Sequence, residues 1–279
     1  MKSITLLYQN LPRHINPMAF SIGPFPVAWY SLMYLVAFAT VYFLLRWRIK
    51  KKESDFSPDT ITNFLFYNVA GVVLGGRLGY VLFYDLAYYL RHPLEIISPF
   101  NSAGDFIGIY GMSYHGGLLG VLIASFIFVK KRKINFRKLA DFVVPAVPAG
   151  YFFGRIGNFF NLEIYGKATT KIWGMYFSAD FFWELRHPTQ LYEAFLEGIL
   201  LFAILWPLRN NKYLRGNLFP LYLIGYGLVR FPIEFLRDTS VLKGMQFDFI
   251  DVPITLSQIF CLAMVFAGAF LFLYNKKTS

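Results

Sequence analysis

The stretch VAWYSLMYLVAFATVYFLLRWRIKKK, residues 27–52, joins a long apolar run to five basic residues in its last seven positions. About 20 apolar residues cross the hydrocarbon core of a bilayer as a helix. Basic clusters that directly follow such a run stay on the cytoplasmic side. This one stretch therefore predicts a membrane-spanning helix whose C-terminal end faces the cytoplasm.

The rest of the chain repeats the pattern. Of 279 residues, 56% are hydrophobic, 20% are aromatic and only 15% are charged, against roughly 25% charged in a soluble domain. The mean hydropathy is +0.46. Seven spans are predicted, at about 27–46, 60–84, 108–130, 139–159, 189–208, 216–236 and 254–275. The fold class read from this is all-α: a polytopic transmembrane helical bundle forming one domain over residues 1–279.

Charge fixes the orientation. RWRIKKK (46–52), KKRKINFRK (130–138), RNNKYLR (209–215) and NKK (275–277) together hold sixteen of the 27 Lys and Arg, on alternate loops. That places the N-terminus outside and the C-terminus in the cytoplasm. The net charge of +11 is then mostly an insertion signal, and nucleic acid is rejected as a partner. The first ~25 residues do not open basic and then run apolar as a signal peptide does, so the first span is expected to drive insertion. The outer segments are 1–26, 85–107, 160–188 and 237–253, and 160–188, rich in aromatics, reads as a small interfacial arm. No internal repeat is evident.

Several polar groups fall where they are costly. Gly71, Gly75 and Gly79 in GVVLGGRLGY (71–80) lie four apart, a spacing for close helix packing. Arg77 and Tyr80 share that span. Tyr114 and His115 open the third span, and Arg155 and Asn158 close the fourth, followed by Asn161 and Glu163. Gln190, Glu193 and Glu197 start the fifth; Arg230, Glu234 and Arg237 end the sixth on one helical face. Ionisable groups in a span face the bundle interior or a wet cavity, so a polar cavity is predicted in the outer half. Arginine's planar fork suits phosphate oxygens and keeps its charge in a poor dielectric. Arg77, Arg155 and Arg237 are the candidate phosphate clamp. The bland alternative, pairing with an acid, is favoured for Arg230 with Glu234. His115, ahead of two glycines, has a side chain suited to proton transfer. The lone Cys261 reads as a small buried hydrophobe. No cysteine or histidine cluster has metal-ligand spacing, so neither metal nor cofactor is expected.

GRIGNFFNLEIYG, residues 154–166, resembles the signature of the prolipoprotein diacylglyceryl transferases, bacterial inner-membrane enzymes. The matching positions are Gly154, Arg155, Gly157, Asn158, Phe159, Asn161, Glu163 and Gly166. The likeness continues through FSIGPFPVAWYSLMYLV (20–36), GGRLGYVLFY (75–84), GMSYHGGLLG (111–120), RHPTQLYEA (186–194) and LIGYGLVRFPIEFLR (223–237). Two departures stand out. Family members often have Gly where this chain has Leu162, and the stretch from Gly166 to Arg186 is short beside some of them.

The resemblance implies transfer of the diacylglyceryl group of phosphatidylglycerol to the lipobox cysteine thiol of a preprolipoprotein signal peptide, with glycerol 1-phosphate leaving. It implies a multi-pass protein of the bacterial cytoplasmic membrane, with its site toward the outer side and membrane lipids around it. Under it, His115 is the expected base or proton relay, with a carboxylate acceptor as the alternative. Arg155 and Arg237 are the expected phosphate clamps, with Arg77 behind them. Asn158, Asn161 and Glu163 position the headgroup and hold Arg155. Tyr30 and Tyr80 hydrogen-bond to lipid, while His187, Gln190 and Glu193 shape the site. The competing class is a transporter or flippase for an anionic lipid or small anion, which the missing repeat weighs against.

Overall fold

The computed structural model describes residues 2–23, 25–98, 100, 111–238, 246–249 and 252–278. Each of the seven expected spans overlaps helix, the third only from Tyr114: α2 (Trp29–Lys50), α3 (Pro58–Phe83), α5 (Tyr114–Arg132), α6 with α7 (Phe136–Val143, Val147–Phe160), α8 with α9 (Thr189–Glu193, Leu201–Leu208), α10 (Leu218–Glu234) and α11 (Leu256–Thr278). Short helices α1 (Lys2–Asn10) and α4 (Leu86–Arg91) lie outside the expected spans. The first residues of the third expected span, 108–110, and parts of the segments 85–107 and 237–253 lie outside the described residues. Among the described residues, four helices are long and apolar enough to cross a membrane: Trp29–Lys50, Pro58–Phe83, Thr189–Leu208 and Leu256–Lys276.

The chain divides into two compact units, Met1–Trp47 with Ala140–Ser279, and Arg48–Leu139. The second unit is built on α3 and α5. Ser57 caps α3 by accepting the Thr60 N–H at 3.1 Å, with Pro58 at the first helical position. The glycine stripe does what its spacing predicts. A Cβ on Gly75 would sit 2.4 Å from the Gly116 carbonyl oxygen of α5, and one on Gly71 would sit 2.6 Å from that of Gly120. Backbones this close leave room for no side chain. Within the same interface Ser125 donates to Asn68 at 2.8 Å, which satisfies a buried amide.

The first unit holds α2, α7, α10, α11 and the helix through α8 and α9. The expected fourth span is not continuous. Pro145 and Pro148 have no N–H to give, so α6 passes through a 3-10 turn (Val144–Ala146) before α7. The fifth is helical throughout but widens into a π segment over Ala194–Leu200, a departure associated with functional sites. Gly198 lies in it and faces Phe152, where a Cβ would come within 2.8 Å of that side chain. The N-terminus of α10 is capped from another helix: Asp141 accepts the N–H groups of Gly216 and Phe219 at 2.7 and 2.9 Å. Cys261 is buried on α11, and the close approach of Gly227 to its carbonyl fits the reading of a packing residue.

Between α7 and α8 the expected arm forms a small structure with a two-stranded ribbon, β1 (Met175–Tyr176) with β2 (Leu185–Arg186). Phe159, Leu162, Met175 and Phe177 make its core. Helix α1 docks on it: Tyr8 donates its hydroxyl to the Trp173 carbonyl at 3.0 Å.

Candidate active site

Helix α7 delivers the first residues of the site. Gly150 and Gly157 let it lie close to α2, where a Cβ on Gly157 would be 3.1 Å from Met33 Cβ. This contact sets Tyr30 of α2 beside the end of α7, where it interacts electrostatically with Glu163 and Arg155. Its hydroxyl donates to Tyr34 at 3.2 Å.

Arg155 is held by its own helix. Its Nε donates to the Tyr151 hydroxyl at 2.7 Å, and its Nη1 donates to Asn158 Oδ1 at 3.0 Å. Asn158 passes the constraint on, donating Nδ2 to Glu163 Oε1 at 2.8 Å. The loop that carries Glu163 is strained: Leu162 and Ile164 have φ of +58° and +61°. The left-handed region costs an L-residue about 1–2 kcal/mol, and a β-branched residue there is an outlier. Leu162 is also buried in the arm core, which compensates for a backbone that glycine would adopt freely. Asn161 ends α7 through its backbone, its N–H bonded to the Gly157 carbonyl at 2.9 Å.

The fifth helix brings the acids. Gln190 donates to the Glu163 carbonyl at 2.6 Å, and Thr189 to that of Ile164 at 2.8 Å. Glu193, wholly buried, lies 2.7 Å from Arg155 Nε through Oε2 and 2.5 Å from Arg230 Nη1 through Oε1. The Arg155 Nε hydrogen is spent on Tyr151, so the first of these is a charge contact rather than a linear hydrogen bond. From α10, Arg230 also binds Glu234 at 2.5 Å, and Glu234 Oε1 accepts the Thr255 hydroxyl at 3.2 Å. Arg237 closes the set, 3.6 Å from Glu234 and 3.9 Å from Glu193. Its position depends on Gly166. The backbones of Gly166 and Arg237 bridge, and a Cβ on Gly166 would come within 2.4 Å of the Leu236 carbonyl oxygen.

Exposure separates the three arginines. The Arg230 side chain is 6% exposed, Arg155 13% and Arg237 21%. Arg230 is consumed by two short ion pairs, as the sequence reading favoured. Arg155 and Arg237 stay partly exposed. A Cβ at Gly154 would meet nothing within 4 Å, so the backbone beside Arg155 is unobstructed.

The first unit thus brings together Tyr30, Arg155, Asn158, Glu163, Gln190, Glu193 and Arg237. His187 stands aside in the arm, its Nδ1 3.0 Å from the Tyr192 hydroxyl. Burial, then Lys171, lowers its pKa below the usual 6.5, so it is a neutral latch at pH 7. Arg77, Tyr80 and His115 belong to the second unit. Arg77 donates to the carbonyls of Ile96 and Glu95 at 2.7 and 2.5 Å and lies over the Tyr89 ring. Tyr80 stacks on Tyr84 and packs against Gly111, whose φ is +78°. His115 is exposed in the first turn of α5. Tyr151 and Thr255 escaped the sequence reading. Tyr151 stands four residues before Arg155, a helical spacing that could have revealed it; nothing local points to Thr255.

A family model described as prolipoprotein diacylglyceryl transferase matches residues 17–274. The chain is similar to a phosphatidylglycerol–prolipoprotein diacylglyceryl transferase of Chlorobaculum tepidum, 44% identical over 280 residues, 99% of this chain and 96% of that one. A protein of the same name from Nitratidesulfovibrio vulgaris is 42% identical over 263 residues, covering 94% and 95% of the two chains. Another from Wolinella succinogenes is 43% identical over 272 residues, 97% of each.

Proposed function

The chain belongs to the prolipoprotein diacylglyceryl transferase family, and from that premise we propose that it moves the diacylglyceryl group of phosphatidylglycerol onto the lipobox cysteine of a preprolipoprotein. It is a transferase. The reading extends to seven spans in one membrane domain over residues 1–279, N-terminus outside, in a bacterial cytoplasmic membrane with the site toward the outer face. The alternating basic loops support that topology.

One observation carries the assignment of the site: two partly open arginines, Arg155 and Arg237, are braced by wholly buried Glu193 while Arg230 is consumed by ion pairs. The phosphodiester is itself an oxyanion, and can replace carboxylate oxygen at a guanidinium fork. In the reaction the cysteine thiolate attacks the glyceryl carbon bonded to the phosphate oxygen. The carbon–sulfur bond forms as the carbon–oxygen bond breaks, and its electron pair goes to the departing glycerol phosphate. Charge grows on that phosphate, where fixed guanidiniums stabilise it. The Arg155–Asn158–Glu163 chain of hydrogen bonds holds Arg155 in place and presents polar groups to the glycerol headgroup, with Tyr30 alongside.

The thiol proton needs an acceptor. His115 remains the proposed acceptor and is tested on its own: His115→Gln is expected to lower turnover more than lipid binding, and equal loss of both would recast it as a binding residue. A lipid-binding role for Tyr80 is likewise carried as part of the proposal, whereas the backbone partners of Arg77 favour a scaffold role over the expected phosphate contact.

The test of the whole reading uses purified protein in detergent with phosphatidylglycerol and a lipobox peptide. A diacylglyceryl mass gain on the peptide, with release of glycerol phosphate and loss of both in Arg155→Ala, is the expected outcome. Transfer retained by a folded Arg155→Ala protein would overturn the assignment of the clamp.

A further inference from the structure

Among the described residues, the buried side-chain acceptors with no hydrogen-bond donor all lie on one stripe of the fifth helix: Gln190 Oε1, Glu193 Oε2 and both oxygens of Glu197. Glu193 Oε2 still has the Arg155 charge at 2.7 Å. Glu197 has less. Its nearest guanidinium nitrogen is Arg230 Nη1 at 3.9 Å, and Arg230 is already bonded to Glu193 and Glu234. The carboxyl is 1% exposed, so no headgroup atom can reach it; a proton can.

The charge count says when a proton is wanted. Three guanidiniums, Arg155, Arg230 and Arg237, face three buried carboxylates, Glu193, Glu197 and Glu234. Glu163, partly exposed, is hydrogen-bonded to neutral Asn158 rather than to a guanidinium. With Glu197 ionised the buried set is neutral. An anionic phosphodiester entering at Arg155 and Arg237 leaves it one negative charge in excess, in surroundings where uncompensated charge is expensive. The least-bonded carboxylate gives way first, and that is Glu197. The titratable and charged groups around it are Tyr151 and Arg155 of α7, Glu193 of α8, Arg230 and Glu234 of α10, and Cys261 of α11. Helix α9 contributes none.

We propose that Glu197 binds one proton when an anionic phosphodiester occupies Arg155 and Arg237, and releases it when the anion leaves. The inference rests on the site reading above. The bond formed is O–H on the carboxylate, and the proton comes from solvent. By linkage, anion affinity then falls as pH rises, by up to tenfold per unit for one proton.

The experiment is titration calorimetry of the full chain with phosphatidylglycerol in detergent micelles, in two buffers of different protonation enthalpy. The wild type is expected to take up close to one proton per lipid. Glu197→Gln is expected to bind with no uptake and with an affinity independent of pH. Glu197→Asp, which keeps the carboxyl, is expected to restore the uptake. A wild-type binding enthalpy that does not depend on the buffer overturns the proposal, whether or not the variants fold, and so does unchanged uptake in Glu197→Gln. If the lipid fails to bind at all, the site reading falls with it. If lipid binds and transfer proceeds without proton uptake, only the role of Glu197 falls.

Discussion

Arg77 in one unit and Arg155 in the other are both arginines inside predicted spans, and they use the same five donors differently. Arg77 gives hydrogen bonds to the backbone carbonyls of Glu95 and Ile96. Those partners are neutral and belong to a chain segment, so the bonds fix that segment in place. Arg155 is set between side chains, with Tyr151 and Asn158 as hydrogen-bond partners and Glu193 as counter-charge. A carboxylate can yield to another oxyanion without unravelling backbone. The difference separates two uses of a buried arginine: exchangeable side-chain partners suit an anion site, and peptide carbonyls suit a scaffold.

The largest effect should come from Arg155. Arg155→Ala is expected to lower transfer to the lipobox peptide by about 10²–10³-fold or more, the scale of losing a fixed donor at a developing charge. Arg155→Lys should rescue it only in part, because a point charge lacks the fork. Glu193 comes next. Glu193→Gln leaves Arg155 and Arg230 without their shared anion, and breaking a buried pair costs roughly 3–5 kcal/mol, to be read as a drop in the thermal midpoint in detergent.

Arg77 sharpens the contrast. Arg77→Met leaves carbonyls unsatisfied, which costs about 1–3 kcal/mol each at most. Stability should fall while turnover per folded molecule stays within a few-fold. Lost turnover at unchanged stability would move Arg77 into the headgroup site and erase its contrast with Arg155.

The arm offers a pH-dependent version of the same test. Arg186 grips Asp180 through Nε and Nη2 at 3.0 and 2.9 Å. Burial alone would raise the Asp180 carboxyl, but the Arg186 bonds and the backbone N–H groups of Glu184 and Phe182 outweigh it and hold the pKa below 3.8. A carboxyl depressed in the folded state contributes its stability in full above the unfolded value of about 3.9, and loses it as pH falls through the folded value. Tryptophan fluorescence of the arm should therefore report loosening in acid, and Asp180→Asn should remove that acid limb while weakening the arm at neutral pH. The smallest effect is expected at Leu162. Leu162→Gly relieves the left-handed strain but gives up a buried side chain, terms of about 1–2 and 1.5–3 kcal/mol that nearly cancel. A net change beyond about 2 kcal/mol would show that one of them is misjudged.

Much of the fold was legible in the chain because helices are local. Apolar runs between basic clusters marked the helical segments, and the four-residue glycine spacing marked the close contact of α3 and α5. Part of the candidate site was legible too: Arg155, Asn158 and Glu163 lie within one short motif, and Arg230 and Glu234 one turn apart on α10, whereas Arg237, expected on the same helical face, lies past the end of that helix in a bridge to Gly166. Tertiary structure decided the rest. Arg155, Glu193 and Arg230 come from three helices and Arg237 from the segment just past the last of them, and no periodicity says which guanidinium meets which carboxylate. Packing alone made Arg230 a closed pair, left Arg155 and Arg237 partly open, and put Leu162 in a backbone conformation that its own side chain disfavours. The physical reason is range: hydrophobic pattern and helical spacing act over a few residues, whereas charge compensation in a dry interior is settled only when distant helices meet.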